Sequence, residues 1–413
     1  MKAVVFTLGC KVNECESDSL IKGLLDLGYE VSDKLEYADL YIVNTCAVTK
    51  EAEKKSRQMA SRIKKLNKNA KIIFTGCASE RCPENFTNKS GDYLVTGTFS
   101  KGKILELLSE KGKFIFSENK EYEELPMVNS LRKRTYVKVQ DGCNNFCSYC
   151  IIPYLRGRTR SRNPENVKRE IENSNSHEII INGINLSAYN FNGKDLTFLM
   201  RTLTDQTKRI RLGSLEVNVI TNEFLTALKE MNNFAPHFHL SLQSGSNAVL
   251  RKMNRKYTRE EYLEKVNLIR EYFPNAGITT DVIVGFPTED EEDFLDSKDL
   301  ILKVGFSDIH VFPFSPREGT VAYKMPDLAS SVKKERLNVL LDVKKDLKLA
   351  FANSMLGKTL TFIPEEEKDG YVVGYSENYL RVYVKKEEIN KDAPFKVKIL
   401  EPYLDGALGT TKL

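Results

Sequence analysis

A phrase of apolar residues closing on cysteine recurs three times in the first eighty residues: AVVFTLGC at 3–10, LYIVNTC at 40–46 and KIIFTGC at 71–77. Each apolar run has the length of a strand, and amphipathic stretches at Glu14–Leu27 and Lys50–Leu66 lie between them. Short apolar strands alternating with helical segments predict a parallel sheet with helices on its faces. Ligands of such sheets gather beyond the carboxyl ends of the strands. Cys10, Cys46 and Cys77 all fall there, so residues far apart in sequence are expected to converge on one three-cysteine site. Cys15 and Cys82 each follow a cysteine of that set by five residues, near helix starts. They read as buried or incidental thiols, because free cysteine packs as a small hydrophobe.

A second trio is denser. Cys143-x-x-x-Cys147-x-x-Cys150 follows the alternating run Tyr136-Val137-Lys138-Val139, which reads as a strand. Three soft thiolates this close can hold three irons of a [4Fe–4S] cluster and leave the fourth iron without a protein ligand, open to chemistry. A structural zinc site wants four nitrogen or sulfur ligands. No fourth cysteine lies nearby, and His177, His237, His239 and His310 are well downstream. The trio sits on the loop leaving a strand, where βα architectures place active sites.

At 413 residues the chain has room for roughly two to four domains. Its net charge of +5 is compatible with a nucleic-acid partner without indicating one. The opening MKAVVFTLGCKVNE has too short an apolar run for a signal peptide, and no apolar segment reaches about 18 residues. These features predict a cytoplasmic protein with no membrane span. Eight cysteines in a reducing compartment are then metal ligands or reactive groups rather than disulfides.

Three domains are expected, at 1–125, 130–350 and 355–413. Around the first boundary, residues 100–134 carry a helix at Gly102–Gly112, a short strand, an acidic patch at Glu118–Glu124 and the basic run Leu131–Arg134. The second carries candidate strands Tyr136–Gln140, Glu178–Ile181, Arg209–Leu215, His237–Leu242, Ile278–Val284 and Asp308–Phe314. Helix starts stand at Asn163-Pro164, at the capping box opening on Thr258 and at a second one opening on Thr288. Six strand–helix units are fewer than the eight of a closed barrel, so a partial barrel is expected. A connecting helix at 331–353 leads to short strands at Thr359–Ile363, Gly370–Val373, Tyr379–Val384 and Phe395–Ile399, a small all-β module of a kind often used for RNA.

These motifs together resemble the radical S-adenosylmethionine (SAM) methylthiotransferases. CNNFCSYC with IIPYLRGRTRSR resembles their radical SAM motif, and TLGCKVNECESD, NTCAVTKEAEKKSRQ and TGCASE resemble their N-terminal domain. HFHLSLQSGSNAVLRKMNRKYTREEY, DVIVGFPTEDEEDF and FPFSPREGTVA match the rest of the radical SAM domain, and residues after about 355 resemble the RNA-binding TRAM domain. TLGCKVN looks like the branch acting on N6-threonylcarbamoyladenosine of tRNA, rather than those acting on isopentenyladenosine or on an aspartate of a ribosomal protein.

The resemblance implies an α/β chain: a Rossmann-like parallel-sheet domain, a partial (βα)6 radical SAM barrel and a TRAM-like barrel. It implies two [4Fe–4S] clusters. Cys143, Cys147 and Cys150 would hold the one that binds and cleaves SAM; Cys10, Cys46 and Cys77 would hold an auxiliary one that presents sulfur for insertion at C2 of the adenine. A second SAM would methylate that sulfur. Gly183 and Asn185, in the turn Asn182-Gly183-Ile184-Asn185, would contact SAM, as would Ser214, Glu216 and Gln243 at strand ends. Val217 stands where the family often has proline after this glutamate. The implied partners are a tRNA anticodon stem-loop, a low-potential electron donor and a sulfur source, with a monomer as the default.

Leu131–Arg162 contains eight Lys/Arg and one acidic residue, Asp141. Bracketing the second cysteine trio, this run predicts phosphate contacts by Arg132, Arg134, Arg156, Arg158, Arg160 and Arg162. The four arginines after the trio could instead hold SAM or order the cluster loop. Residues 356–413 carry nine Lys/Arg and ten Asp/Glu, so an RNA contact there rests on a local patch: Tyr379, Arg381, Tyr383, Lys385 and Lys386. A non-catalytic iron–sulfur or RNA-binding scaffold is the competing reading, and irons left open to oxygen argue against it.

Overall fold

The computed structural model describes residues 1–87, 93–126, 133–389 and 394–413. It divides into two compact units: residues 1–176 with 182–195 and 315–323, and residues 177–181 with 196–314 and 324–413. These units do not coincide with the three domains read from the sequence.

The first unit is built on β1 (Lys2–Thr7), β2 (Glu30–Ser32), β3 (Leu40–Thr45), β4 (Lys71–Gly76), β5 (Tyr93–Thr96) and β6 (Gly112–Phe114), in the order β2-β1-β3-β4-β5-β6. Every pairing is parallel. Alternate residues feed two cores, as the period of a strand demands. Val4, Tyr41, Val43, Ile72 and Phe74 pack with Met59 and Ile63 of helix α2 (Lys50–Leu66). Ala3, Val5, Ile42 and Ile73 pack with Leu20, Ile21 and Leu24 of α1 (Lys11–Asp26). The one-turn helix α3 (Cys77–Arg81) follows β4 directly.

The helix expected at Gly102–Gly112 is a short 3-10 turn, Lys101–Leu105, followed by β6. It opens beside Gly102, and glycine raises the cost of a helical nucleus. The Glu123 carboxylate instead accepts from the Lys101 and Gly102 N–H groups at 3.1 and 3.0 Å. The same unit holds β7 (Arg134–Asp141), paired antiparallel with β8 (Arg160–Ser161), and α4 (Ile152–Arg156) between them. Helix α5 (Pro164–Asn173) starts where the sequence places it, with Asn163 accepting from the Glu165 N–H and Pro164 at its first position. β9 (Glu178–Gly183) leads into the hairpin β10 (Asn190–Phe191) and β11 (Lys194–Asp195).

In the second unit, α6 (Leu196–Thr202) precedes β12 (Arg209–Leu212), which runs parallel to the start of β9. β13 (Ser214–Leu215), β14 (His237–Leu240), β15 (Gly277–Val284) and β16 (Asp308–Pro313) form a parallel sheet. Helices α7 (Asn222–Glu230), α8 (Asn247–Lys252), α9 (Arg259–Tyr272) and α10 (Glu291–Val304) connect them. The capping box opening on Thr258 is formed. The one expected at Thr288 forms two residues later, between Asp290 and Asp293, because Thr288 is held at φ 75° and Glu289 turns inward to Arg336.

Helix α11 (Ser330–Ser354) runs into a closed five-stranded barrel: β17 (Thr359–Lys368), β18 (Tyr371–Ser376), β19 (Arg381–Lys385), β20 (Phe395–Tyr403) and β21 (Gly406–Thr410), in the order β17-β18-β19-β21-β20. Leu360, Phe362, Val382, Val397 and Ala407 fill it. The fifth strand went unread in the sequence, since GALGT has two glycines and no polar–apolar alternation. Buried Glu178 accepts from Arg209 and, at 2.9 and 3.1 Å, from Arg211. Both arginines also donate to barrel carbonyls, those of Thr361, Tyr375, Ser376 and Glu377, at 2.8–3.2 Å.

Candidate functional site

Cys10, Cys46 and Cys77 stand at the carboxyl ends of β1, β3 and β4, three strands of one sheet. Two glycines let the chain turn there. Gly9 has φ +112°, and a Cβ on it would meet the Cys46 Cβ at 2.9 Å and Sγ at 3.0 Å; Gly76 has φ +101°, and a Cβ would meet Asn44 Oδ1 at 2.5 Å. Side chains from neighbouring elements fix the loops. Asn13 donates to the carbonyls of Leu8 and Thr45 at 2.7 and 3.1 Å. Thr45 Oγ1 accepts from the Ala78 and Ser79 N–H groups at 3.2 and 3.1 Å, and Ser56 Oγ accepts from Cys46 N–H at 3.2 Å.

Cys46 and Cys77 are buried and Cys10 is exposed. Burial, with Cys77 and Cys10 adding their charge, pushes the Cys46 thiol up to about 12. Burial also raises Cys77, with Arg156 opposing it.

Beneath these thiols lies a network of buried charge. Arg156 Nε donates to Cys77 Sγ at 3.4 Å; its Nη atoms donate to Glu16 at 2.8 and 3.1 Å, to Asp141 at 3.3 Å and to Asn13 at 2.8 Å. Lys101 and Lys138 also pair with Glu16, and Lys138 with Asp141 at 3.0 Å. Arg160 stands 3.8 Å from Asp141. Burial works against ionisation of Glu16, yet Arg156, Lys101 and Lys138 hold its carboxyl well below the usual range. Asp141 is likewise opposed by burial and drawn down to about 2 by Lys138 and Arg156. Four buried cations thus face two carboxylates.

The second trio lies on the loop between β7 and α4. Its backbone is set by bonds from Cys143 N–H to Gly157 O at 3.1 Å and from Cys150 N–H to Cys147 O at 2.9 Å. Asn145 N–H and Asn185 Nδ2 approach Cys143 Sγ at 3.5 and 3.7 Å. Gln140 organises the approach, donating to the carbonyls of Asp141 and Gly142 and accepting from Asn185 N–H at 2.7 Å. Gly183 packs on Gln140. The structure therefore brings Asn185 and Gly183 close to the start of the cysteine loop. Asn182 beside them is buried, and its Nδ2 has no acceptor among the described residues.

In the second unit, Ser214 is exposed at the start of β13 and Glu216 pairs with Arg255 at 3.2 Å. Gln243 holds φ +68°, its N–H on Asp281 O and its carbonyl on Ile283 N–H, both at 2.9 Å. A non-glycine residue in that region is uncommon.

The arginines expected on phosphates are mostly turned inward. Arg134, Arg156, Arg160 and Arg162 are at most 8% exposed. Arg162 pairs with Glu124 at 2.7 Å and with Glu170, and Arg160 donates to the carbonyls of Arg158 and Arg156. Arg156, Arg160 and Arg162 thus spend donors on protein carboxylates and carbonyls. Arg158 is exposed over the Phe146 ring at 4.7 Å. Arg132 lies outside the described residues. Arg381 pairs with Asp405 and Glu366 at 2.8 and 2.9 Å, and Tyr379 stacks between His237 and Tyr375. Sequence reading missed Asn13, Glu16 and Lys101. The signal for the first two was their spacing after Cys10, three and six residues along one helix face.

Among the described residues, no three His, Cys, Asp or Glu side chains are drawn tightly enough to hold a bare metal ion. The donor chemistry nevertheless fits iron–sulfur groups. Soft thiols stand at three strand ends of one sheet and in the loop after β7, the donors such groups take, and the buried excess of two positive charges beside Cys77 suits an anionic thiolate-bound cluster.

Residues 137–301 match the model of the Radical SAM superfamily, and residues 2–97 match that of Uncharacterized protein family UPF0004. The chain is 37% identical to threonylcarbamoyladenosine tRNA methylthiotransferase MtaB of Bacillus subtilis (strain 168), over 98% of this chain and 96% of that one. It is 36% identical to the protein of that name from Aquifex aeolicus (strain VF5), over 97% and 100%. A tRNA-2-methylthio-N(6)-dimethylallyladenosine synthase of Thermoanaerobacter sp. (strain X514) is 37% identical over 87% and 81%. Among solved structures, the radical SAM methyltransferase TsrM from Kitasatospora setae, with cobalamin and a [4Fe-4S] cluster bound, aligns at TM-score 0.53 and 13% identity, covering 76% of this chain and 72% of that one. With two relatives alike over nearly their full lengths, the chain belongs to the radical SAM methylthiotransferase family.

Proposed function

We propose that the protein adds a methylthio group to C2 of N6-threonylcarbamoyladenosine in the anticodon loop of tRNA. The carrying observation is full-length likeness to two relatives named for that activity. Likeness to the dimethylallyladenosine synthase is equal in identity but covers less of either chain. In this reading Cys143, Cys147 and Cys150 hold the cluster that binds SAM, and Cys10, Cys46 and Cys77 hold the auxiliary cluster that carries sulfur. The two clusters, with SAM, supply hydrogen abstraction and C–S bond formation that no acid–base side chain performs on an aromatic carbon.

The chain's own part is positioning. Gln140 and Asn185 shape the approach to Cys143, and Asn182 offers a buried donor for SAM. Asn13 and Thr45 hold the sulfur-bearing loops together. Burial keeps water from Cys46 and Cys77. The reading retains a sequence domain order of methylthiotransferase domain, radical SAM barrel and TRAM-like module, with an electron donor and a sulfur source as further partners. Among the described residues no helix is long and apolar enough to cross a membrane. Nucleoside mass analysis of tRNA from a deletion strain tests the substrate. Loss of the methylthio mark on threonylcarbamoyladenosine is expected, and an unchanged profile overturns it.

A further inference from the structure

With Arg156, Arg160 and Arg162 committed to protein acceptors, a second group of exposed cations in the first unit lies along α2. Helix α2, helix α3 and residues 316–323 enclose a cleft of about 350 Å³ lined by Lys50, Lys54, Arg57, Arg81, Arg317 and Tyr323, with Glu53 and Glu318 as its acidic residues. Glu53, 6% exposed, accepts from Arg57 and Arg81, both at 2.8 Å, and from Arg317. Arg81 also stands 3.5 Å from Glu318. Three guanidiniums share one buried carboxylate, and the two lysines add charge at the rim, an excess of three in all.

Two further observations say that this excess is for a ligand. Arg317 is 3% exposed, and its Nε has no acceptor among the described residues. A buried guanidinium with an unused donor is costly unless an acceptor arrives, and its planar fork matches phosphate oxygens. Second, Lys50, Lys54 and Arg57 are exposed at intervals of four and three residues along one face of α2. That row spans about 10 Å, longer than one phosphate needs. Tyr323, 46% exposed, gives the cleft an open aromatic ring, the kind of surface on which an unstacked base rests.

The cleft shares its walls with the sulfur-bearing loops. Arg81 ends the one-turn helix that Cys77 begins. Helix α2, which carries Lys50, Lys54 and Arg57, also carries Ser56, the acceptor of the Cys46 N–H.

We propose that this cleft binds the phosphate backbone of a single-stranded RNA loop, so that the base to be modified is held beside the auxiliary cysteines. The assignment rests on the tRNA reading above and adds to it where the loop docks. Once RNA is bound, Lys50, Lys54 and Arg57 neutralise successive phosphates and release their counterions. Arg317 and Arg81 hold one phosphate at the cleft floor, and Tyr323 stacks on a neighbouring base.

The test compares the reconstituted full-length protein with its Lys50→Gln/Lys54→Gln/Arg57→Gln variant. Glu53 keeps Arg81 and Arg317 in that variant. Binding of a synthetic anticodon stem-loop RNA is followed by fluorescence anisotropy between 50 and 200 mM salt. The slope of log K against log salt is expected to fall by ~2, at ~0.7 per single-strand phosphate, with affinity down at least ~10-fold. Iron content and RNA-independent SAM cleavage should stay at wild-type values, and a Lys50→Arg/Lys54→Arg/Arg57→Lys variant should keep the wild-type slope. Equal slopes and affinities for wild type and the glutamine variant overturn the cleft assignment while leaving the tRNA reading standing. A wild-type holoprotein that binds no RNA at 50 mM salt overturns both.

Discussion

Glu16→Gln is the sharpest perturbation of the first unit, because it keeps the shape of the side chain and removes one charge. Arg156, Lys101 and Lys138 all close on the Glu16 carboxylate. After the exchange, Asp141 is the one buried carboxylate left among the four buried cations, with the exposed Glu118 3.5 Å from Arg160. Removing one partner of a buried ion pair costs ~3–5 kcal/mol, largely from the charge left uncompensated. We expect ~3 kcal/mol, since Asp141 still offsets part of it.

The chain holds two units, so global denaturation is not a clean probe. Native-state hydrogen exchange separates them. Amides of Val4, Val5, Ile42 and Val43 should lose ~10²-fold in protection, while those of Val382, Tyr383 and Val384 keep theirs. The pH dependence has a definite sign. Because the folded-state pKa of Glu16 is depressed, its contribution is present above the unfolded value of ~4.3 and is lost as pH falls below it. The wild-type advantage should be flat from pH 8 to about 5 and shrink below about 4. Protection within threefold of wild type at pH 7, or equal loss in both units, would refute the buried-charge argument.

Other outcomes follow from the same geometry. Anaerobic reconstitution should load about eight irons per chain, and about four in Cys143→Ala/Cys147→Ala/Cys150→Ala or in Cys10→Ala/Cys46→Ala/Cys77→Ala; SAM cleavage retained by the first variant would end the assignment of its cluster. Gly76→Ala sets a Cβ 2.5 Å from Asn44 Oδ1 and 2.6 Å from Thr45 O at φ +101°, so auxiliary iron should fall while the Cys143 site stays loaded. Iron undiminished in Gly76→Ala would show that the strand end tolerates displacement. Glu178→Gln leaves Arg209 and Arg211 without their shared carboxylate, and protection of the closed barrel should drop by ~3 kcal/mol; protection unchanged in β17 and β18 would count against that anchor.

Much of this was legible because the strongest signals are local. Apolar strands closing on Cys10, Cys46 and Cys77 predicted both the parallel sheet and the shared end of three strands. Periodicity and caps placed α2, α5 and α9 closely. What escaped depends on distant partners. Nothing local distinguishes Arg156 on a solvated phosphate from Arg156 enclosed by Glu16 and Asp141, because the carboxylate that claims it lies 140 residues earlier. The same holds for Arg162, whose partners are Glu124 and Glu170. Glu53 and Arg317 are 264 residues apart, so the charged cleft was invisible until the chain folded. Strand β21 was missed for the opposite reason: its glycines are selected by close neighbours in the barrel, where a Cβ on Gly406 would meet Arg381 O at 2.1 Å.

The central claim is that this chain joins sulfur to C2 of one modified adenosine. Its most direct test gives the anaerobically reconstituted protein SAM, a reductant and sulfide, with two tRNAs in competition. One carries threonylcarbamoyladenosine in its anticodon loop and the other isopentenyladenosine. Mass spectrometry of the digested nucleosides should find the methylthio group on threonylcarbamoyladenosine, and none after the Cys10→Ala/Cys46→Ala/Cys77→Ala exchange. A mark on isopentenyladenosine instead, or none on either while SAM is cleaved, would contradict the account.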